Sequence, residues 1–147
     1  MASTTDICDS FLLGLATGVA YDFTLTTGDA FYWSLYTSTA TNGSATTAYT
    51  ATNEITGTNY VAKGATAANV TPTVDTNVVM IDFANPTWSS ASFTAASTLL
   101  FNEDITTPTA DPSVAVWDFS GDQTASGGDF VLQMPTRAIA TAILRLA

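Results

Sequence analysis

The sequence predicts an all-β protein, an antiparallel β-sandwich or jelly roll with one short N-terminal helix. About six to eight short runs alternate apolar and polar residues between Gly, Pro, Asn and Asp turns. Only one stretch has helical spacing, so the crossover helices that parallel sheets need are missing. A chain of 147 residues is the usual size of one domain. We expect a single domain over residues 1–147, with residues 1–20 forming the helix or arm.

The helical stretch is TDICDSFLLGLATG, at the start of the chain. Thr5 or Asp6 is placed to cap the first turn with a side-chain oxygen, and Gly18 is placed to end the helix in a left-handed conformation. The apolar residues recur every three or four positions. This stripe consists of Ile7, Phe11, Leu12 and Leu15.

Strands are predicted from there to the C-terminus. The run FYWSLYT, at residues 31–37, carries aromatic side chains on both faces, which predicts that both faces are covered. The C-terminal run AIATAILRLA is also apolar on both faces, so we expect it to be central in a sheet or covered by a partner. The other predicted strands are VVMIDF, ASFTAASTLLFN, VAVWDF and FVLQMP.

Three connections separate these runs. Residues 38–60 form a long polar segment, and a connection of this length usually has a function or binds a neighbour. TTPTADPS, at residues 106–113, forms a loop containing Pro108 and Pro112. DFSGDQTASGGDF, at residues 118–130, is interpreted as a glycine-rich turn between two strands.

Charge excludes several classes of function. There are 3 basic and 13 acidic residues, a net charge of −10, which argues against nucleic-acid binding and against an anionic membrane surface. The apolar run at residues 11–20 is too short to span a bilayer, and the acidic segment before it does not resemble a signal peptide. Cys8 is the only cysteine, which fits assembly in a reducing cytoplasm.

Catalytic chemistry finds little support. The chain has no histidine, which excludes Ser–His–Asp and Cys–His nucleophiles and disfavours zinc. Lys63 is interpreted as a solvated charge. Glu103 and Asp104 are adjacent, so on a strand they point to opposite faces and suit a glycosidase poorly. Glu54 and Asp82 are further carboxylates whose relative positions the sequence does not give. We predict no enzyme activity, no catalytic residues, no cofactor and no metal site.

Two binding alternatives stay open at this point. Asp118, Asp122 and Asp129 supply oxygens for calcium, but their spacing is not that of an EF-hand loop, so a turn is favoured. A second alternative is a sugar-stacking platform, although tyrosines in sheets are more often structural. Its members would be Tyr32, Tyr36, Tyr49, Tyr60 and Trp88.

The order of several motifs resembles a family of small virion proteins of tailed bacteriophages. A short helix leads into the Gly-Asp-x-Phe strand at residues 28–31, and Thr-x-Glu-Ile-x-Gly-x-x-Tyr follows at 52–60. Trp-Ser-Ser-Ala-x-Phe-Thr-Ala lies at 88–95, before an Asp-Phe pair that ends in Ser-Gly-Gly-Asp-Phe at 126–130. The resemblance covers nearly all of the chain. It departs in NEDITTPTADPS, which is longer than usual, and in the low basic content.

The resemblance implies a capsid decoration (cement) protein. Such a protein binds the outer capsid surface and stabilises the shell by bridging capsomers. Its partners would be the major capsid protein and other copies of itself, as a homotrimer or alternatively a dimer. Its location would be the exterior of a virion assembled in the bacterial cytoplasm. The resemblance identifies no catalytic residues.

The competing hypotheses are a tail, fibre or baseplate component that binds glycans and, after it, a free binding domain. For the decoration role we expect contacts through the helix, the long polar connection and the C-terminal run. The interface candidates are Ile7, Phe11, Leu12, Leu15, Tyr49, Tyr60, Ile143, Leu144 and Leu146.

Overall fold

A computed structural model describes residues 2–138 and 140–146 of the chain. They form mainly antiparallel β-structure with one short helix, which confirms the all-β prediction. The elements are β1 (Asp6–Ile7), α1 (Asp9–Thr17), β2 (Phe31–Tyr36), β3 (Ala65–Ala67), β4 (Asn69–Asp75), β5 (Val78–Phe83), β6 (Thr87–Asn102), β7 (Ser113–Val131) and β8 (Leu144–Leu146).

The strands form a larger and a smaller sheet. The larger sheet has the order β1-β7-β6-β2-β3, and the smaller one has the order β4-β5-β8. In the larger sheet β2 pairs with the second half of β6, from Phe31 opposite Asn102 to Tyr36 opposite Ser97. Of the strands, only β7 pairs with the first half of β6, in a ladder that continues to Thr87 opposite Val131, so the two strands extend beyond the sheet as a ribbon. A single bridge joins Ser92 of this ribbon to Thr58.

Both faces of β2 are covered, as its sequence predicts. On one face the Phe83 ring of β5 meets Phe31 and Trp33 edge-on, at centroid distances of 5.8 and 5.6 Å. On the opposite face of the sheet, the Tyr49 ring stacks on the Phe101 ring of β6, opposite Tyr32, at a centroid distance of 4.8 Å. The smaller sheet therefore covers one face, and the polar connection before β3 covers the other.

The helix begins later than predicted. Asp6 and Ile7 form β1, paired with Val116 and Ala115 of β7, so neither Thr5 nor Asp6 caps the helix. Cys8 occupies the N-cap position, but its side chain does not cap the helix and donates to Gly43 O instead. Pairing with β7 fixes this segment as extended chain, and helical spacing alone does not reveal such a partner. Gly18 does end the helix, with a left-handed φ of 87°.

The glycine-rich segment 118–130 is not a turn between two strands. It lies inside β7, which runs without interruption from Ser113 to Val131 opposite β6. Gly121 and Gly127 have φ values of 143° and 75°, and the pairing register shifts several times along this ladder. The glycines therefore accommodate bulges in a long strand. The predicted strand FVLQMP ends at Val131, and the chain is irregular from Leu132 to Pro135.

The C-terminal run also differs from its prediction. Only Leu144–Leu146 is a strand, and it lies at the edge of the smaller sheet, paired with β5. The expectation that this run is central in a sheet was therefore wrong. Leu144 is nevertheless fully buried by the rest of the chain. Ile139 and Ala147, which the predicted strand included, lie outside the described residues.

Candidate interaction surface

Helix α1 turns three leucines toward solvent. Leu12, Leu13 and Leu15 are 46%, 64% and 36% exposed, and we call them the α1 leucine face. On the inner side of the same helix, Phe11 and Gly14 are buried. The helix is therefore apolar on both sides, but only its inner side packs against the protein core.

Phe11 fastens this helix to the larger sheet through a series of rings. Its ring meets Tyr21 and Phe23 edge-on, at centroid distances of 4.8 and 6.1 Å. Phe23 in turn stacks on Phe31 of β2 at 4.6 Å. Since ring contacts of this kind are geometrically specific, the orientation of the leucine face is fixed relative to the sheet.

An apolar groove runs beside the leucine face. It has a volume of about 150 Å³ and separates α1 from the loop at residues 105–112. Leu13 and Tyr21 line one side, and Ile105 and Pro108 line the other. Gly14 keeps the groove open on the helix side, because a Cβ there would lie 3.1 Å from the Tyr21 ring.

Lys63 holds the base of that loop. Its Nζ lies 2.9 Å from Glu103 Oε1 and 3.0 Å from Asp111 Oδ2, and Asp111 N–H donates to Ile105 O at 3.0 Å. Hydrogen bonds to the two carboxylates raise the pKa of Lys63. The interpretation of Lys63 as a solvated charge is thus wrong, because the ammonium joins the two ends of the loop.

Glu54 joins the long polar connection to the sheet. Its Oε2 accepts the Tyr49 hydroxyl at 2.6 Å, and its Oε1 accepts the Tyr60 hydroxyl and the Lys63 N–H, each at 2.7 Å. The Tyr60 oxygen also accepts the Leu35 N–H of β2 at 2.9 Å. We call these residues the Glu54 network. It packs Tyr49 and Tyr60 against their own chain.

Burial raises the pKa of the tyrosines around Glu54. The pKa of Tyr60 and of Tyr49 is above its ordinary range, first because of desolvation and then because each hydroxyl donates to the Glu54 carboxylate. Desolvation likewise raises the pKa of Tyr36 to about 12. All three hydroxyls are therefore protonated at neutral pH and act as donors.

The structure separates the interface candidates into three groups. Phe11 and Leu144 have no exposed area and contact only their own chain. Leu12 and Leu15 are exposed on α1. The rest are half-buried, and two of them, Ile7 and Ile143, line an open cleft of about 500 Å³. The half-buried candidates are Ile7, Tyr49, Tyr60, Ile143 and Leu146.

Leu13 was missed by the sequence analysis and is the most exposed leucine of α1. The predicted stripe follows Phe11, and Leu13 lies two positions further, on another side of the helix. An apolar residue outside the predicted stripe is the signal that identifies it.

Among the described residues, the carboxylates are not grouped as a metal site requires, and the aromatic residues do not form a sugar-stacking platform. Across residues 2–138 and 140–146, no three His, Cys, Asp or Glu side chains are grouped so that they could hold a metal ion. Glu103 faces Lys63, while Asp104 accepts the Ala30 N–H at 2.7 Å. Tyr36 and Trp88 are buried, so the five proposed platform residues do not make one exposed surface.

No helix in the described part of the chain is long and apolar enough to cross a membrane.

The border of the leucine face is acidic. Asp9 begins α1, and Asp104 lines a second open pocket at the other end of the helix, together with Thr17 and Ile105. The basic side chains have other contacts: Lys63 is paired with Glu103 and Asp111, and Arg137 donates to Thr71 O at 2.8 Å. An apolar surface with an acidic border complements an apolar surface with a neutral or basic border.

Compared with known proteins, the chain matches no family model, no curated protein and no solved structure.

Proposed function

We propose that this protein is a bacteriophage capsid decoration protein that binds the outer capsid surface through the α1 leucine face. The observation that carries the proposal is the exposure of Leu12, Leu13 and Leu15 on a helix fastened to a β-sheet. In this proposal the two sheets form a β-sandwich body, and α1 with its groove is the docking element.

Burial of the three leucines and the prior ordering of α1 both favour binding. Apolar surface removed from water contributes about 25 cal/mol per Å², so burying three leucines supplies useful binding energy. The rings from Phe11 to Phe31 order the helix before binding, so association loses little conformational entropy. Many copies on one shell then add up to a large stabilisation.

Charge disfavours a second copy as the occupant of this face, which leaves the major capsid protein as the proposed partner. Two leucine faces brought together would bring Asp9 and Asp104 of each copy near one another, in a protein of net charge −10. Contacts between copies, as a homotrimer or alternatively a dimer, are proposed elsewhere, along the cleft lined by Ile7 and Ile143.

A capsid-binding assay tests the proposal. Shells lacking the protein are incubated with wild type, with Leu13→Asp, or with Val74→Asp, and the bound protein is measured by sedimentation and quantitative mass spectrometry. Val74 is 70% exposed on β4, so its variant is a matched control for a new surface carboxylate. We expect Leu13→Asp to lose at least tenfold in affinity and Val74→Asp to bind like wild type, with both retaining the wild-type circular dichroism spectrum.

Two results would contradict the proposal. Wild-type binding by Leu13→Asp would remove the leucine face as the docking element. Location of the wild-type protein on tails, at few copies per particle, would favour the tail, fibre or baseplate alternative over decoration.

A further inference from the structure

We infer that a small amphiphilic carboxylate, an aliphatic chain with one anionic end, binds in the open cleft between the larger and the smaller sheet. The aliphatic chain lies between the two sheets, and the carboxylate meets the Arg145 guanidinium. The cleft has a volume of about 500 Å³, and cavities of about 300–1,000 Å³ accept small organic ligands. This inference does not depend on capsid binding, and the ligand lies deeper in the cleft than the contacts proposed between copies.

The wall on the larger sheet is apolar and partly accessible. Ile7 of β1 lies opposite Ala115 of β7, and Trp117 is two positions further along β7, so the three side chains share one face of the sheet. All three residues line the cleft. Ile7 and Trp117 are half-buried, whereas Ala115 beside them is 1% exposed. The short alanine side chain therefore leaves a hollow that the two larger side chains border.

The wall on the smaller sheet is also largely apolar, and it carries a cation. Arg145 of β8 lies opposite Met80 of β5, and Val78 is two positions from Met80, so Arg145 and Val78 share one face of the sheet. Ala142 and Ile143, which precede β8, complete this wall. Val78 and Ile143 are half-buried, so an aliphatic chain that covers them removes further apolar surface from water.

The charged residues at the cleft select an anionic end group. Among the described residues, Asp6 and Arg145 are the charged ones that line it. Asp6 precedes Ile7 on β1, so its side chain lies on the opposite face of the strand, where the carboxylate accepts the Thr4 hydroxyl. Arg145 is exposed, and its Nη1 donates to Ala140 O at 3.3 Å. A guanidinium has five N–H donors in a planar fork, so it can bind a carboxylate beside the contacts that it already makes.

Octanoate and octylammonium are the probes, because they carry similar aliphatic chains and opposite charges. The protein has a net charge of −10 and as a whole attracts the ammonium, so a preference for octanoate indicates a local cation. Proton–nitrogen NMR of the indole N–H groups measures binding. We expect octanoate to shift the Trp117 resonance saturably and to leave Trp88, which does not line the cleft, unchanged. Octanoate should bind about tenfold more tightly than octylammonium.

Two arginine variants locate the cation. Arg145→Met keeps an unbranched side chain without the charge and should abolish the preference for octanoate. Arg137→Met, at a residue that does not line the cleft, is the matched control and should keep it. Leu13→Asp, which tests capsid binding, should bind octanoate like wild type.

Three results would overturn the inference. These are no saturable shift of Trp117 with octanoate, binding of octylammonium at least as tight as that of octanoate, or a preference for octanoate that persists in Arg145→Met. If Arg145→Met does not fold, the comparison of the two probes on wild type still decides.

Discussion

Lys63 Nζ lies 2.9 Å from Glu103 Oε1, although the two residues are 40 positions apart in the chain. The backbone N–H of the same lysine donates to Glu54 Oε1 at 2.7 Å. One residue therefore joins the Glu54 network to the loop that borders the α1 groove. Because Lys63 and Glu103 are about one-third exposed, the ion pair itself contributes little, and the three hydrogen bonds that the half-buried Glu54 carboxylate accepts matter more.

The different contributions of the Glu54 hydrogen bonds and the Lys63 ion pair give a first prediction, on Glu54→Ala and Lys63→Met. Glu54→Ala removes the acceptor of two tyrosine hydroxyls and one N–H, and we expect it to lower the free energy of unfolding by about 2–4 kcal/mol. Lys63→Met leaves those three bonds in place and should lower it by less than about 1 kcal/mol. Urea denaturation measures both, and a larger loss in Lys63→Met would show that the ion pairs dominate.

Tyr36 and the two tyrosines of the Glu54 network predict a loss of stability at alkaline pH. Burial raises the pKa of Tyr36 to about 12 and the pKa of Tyr49 and Tyr60 above its ordinary range. Above pH of about 10 an unfolded chain releases these protons while the folded chain keeps them, so the folded state binds more protons. The free energy of unfolding must then fall as pH rises from about 10.

Chemical denaturation at pH 8, 10 and 11 measures this slope, and tyrosinate absorbance shows when the hydroxyls ionise. Tyr49→Phe is the control, since it removes one of the shifted groups and should make the slope shallower. A free energy of unfolding that stays constant over this range, in wild type, would show that the three hydroxyls ionise in the folded state as readily as in the unfolded one.

Alternation along the sequence was sufficient to predict the strands that are covered by other parts of the chain. FYWSLY and the second half of β6 have apolar residues where the structure buries them, and in VVMIDF Met80, Ile81 and Phe83 are buried while Val79 is exposed. Glycines misled the prediction at residues 118–130, because the same residue serves a turn or a bulge. Only the pairing of that segment with residues 88–97 of β6 decides between a turn and a bulge, and pairing is not a local property.

The contacts of the candidate site were less predictable than the strands. Tyr49 and Tyr60 were expected at an interface because they lie in a long polar connection, but both donate to Glu54. Lys63 and Asp111 are far apart in sequence, and nothing local indicates that their side chains meet. Leu13 was recognisable in principle, since it is apolar and lies outside the predicted stripe, whose members Leu12 and Leu15 are exposed as well.

Two glycines with positive φ give a third prediction. Gly64 has a φ of 81°, and a Cβ there would lie 1.9 Å from Trp33 O, so Gly64→Ala must displace the backbone of β2. We expect a loss of about 3 kcal/mol or more, or failure to fold. Gly127 has a similar φ of 75° and open space around it, so Gly127→Ala should cost only the conformational term of about 1 kcal/mol. Equal losses of stability in Gly64→Ala and Gly127→Ala, measured by thermal denaturation, would contradict this prediction.

Asp82 predicts a stabilising substitution. Its side chain is buried on β5, and its Oδ1 has no hydrogen-bond partner among the described residues. Desolvation raises the pKa of this carboxyl, although the Phe83 and Ile143 N–H groups and the charge of Arg137 act in the opposite direction. The folded state therefore binds this proton more tightly than the unfolded state. The contribution of Asp82 to stability is favourable at low pH and is lost as pH rises through the raised pKa.

Asp82→Asn keeps the shape of the side chain and removes the buried charge. At pH 7 we expect it to raise the free energy of unfolding by about 1 kcal/mol, because it removes the desolvation penalty of the carboxylate. The difference from wild type should shrink as the pH falls through the raised pKa of Asp82, where the wild-type carboxyl becomes neutral as well. Asp122→Asn, at an exposed position of β7, is the matched control and should show no such dependence on pH. Destabilisation by Asp82→Asn at pH 7 would mean that the ionised carboxylate is held favourably by the two N–H groups and Arg137.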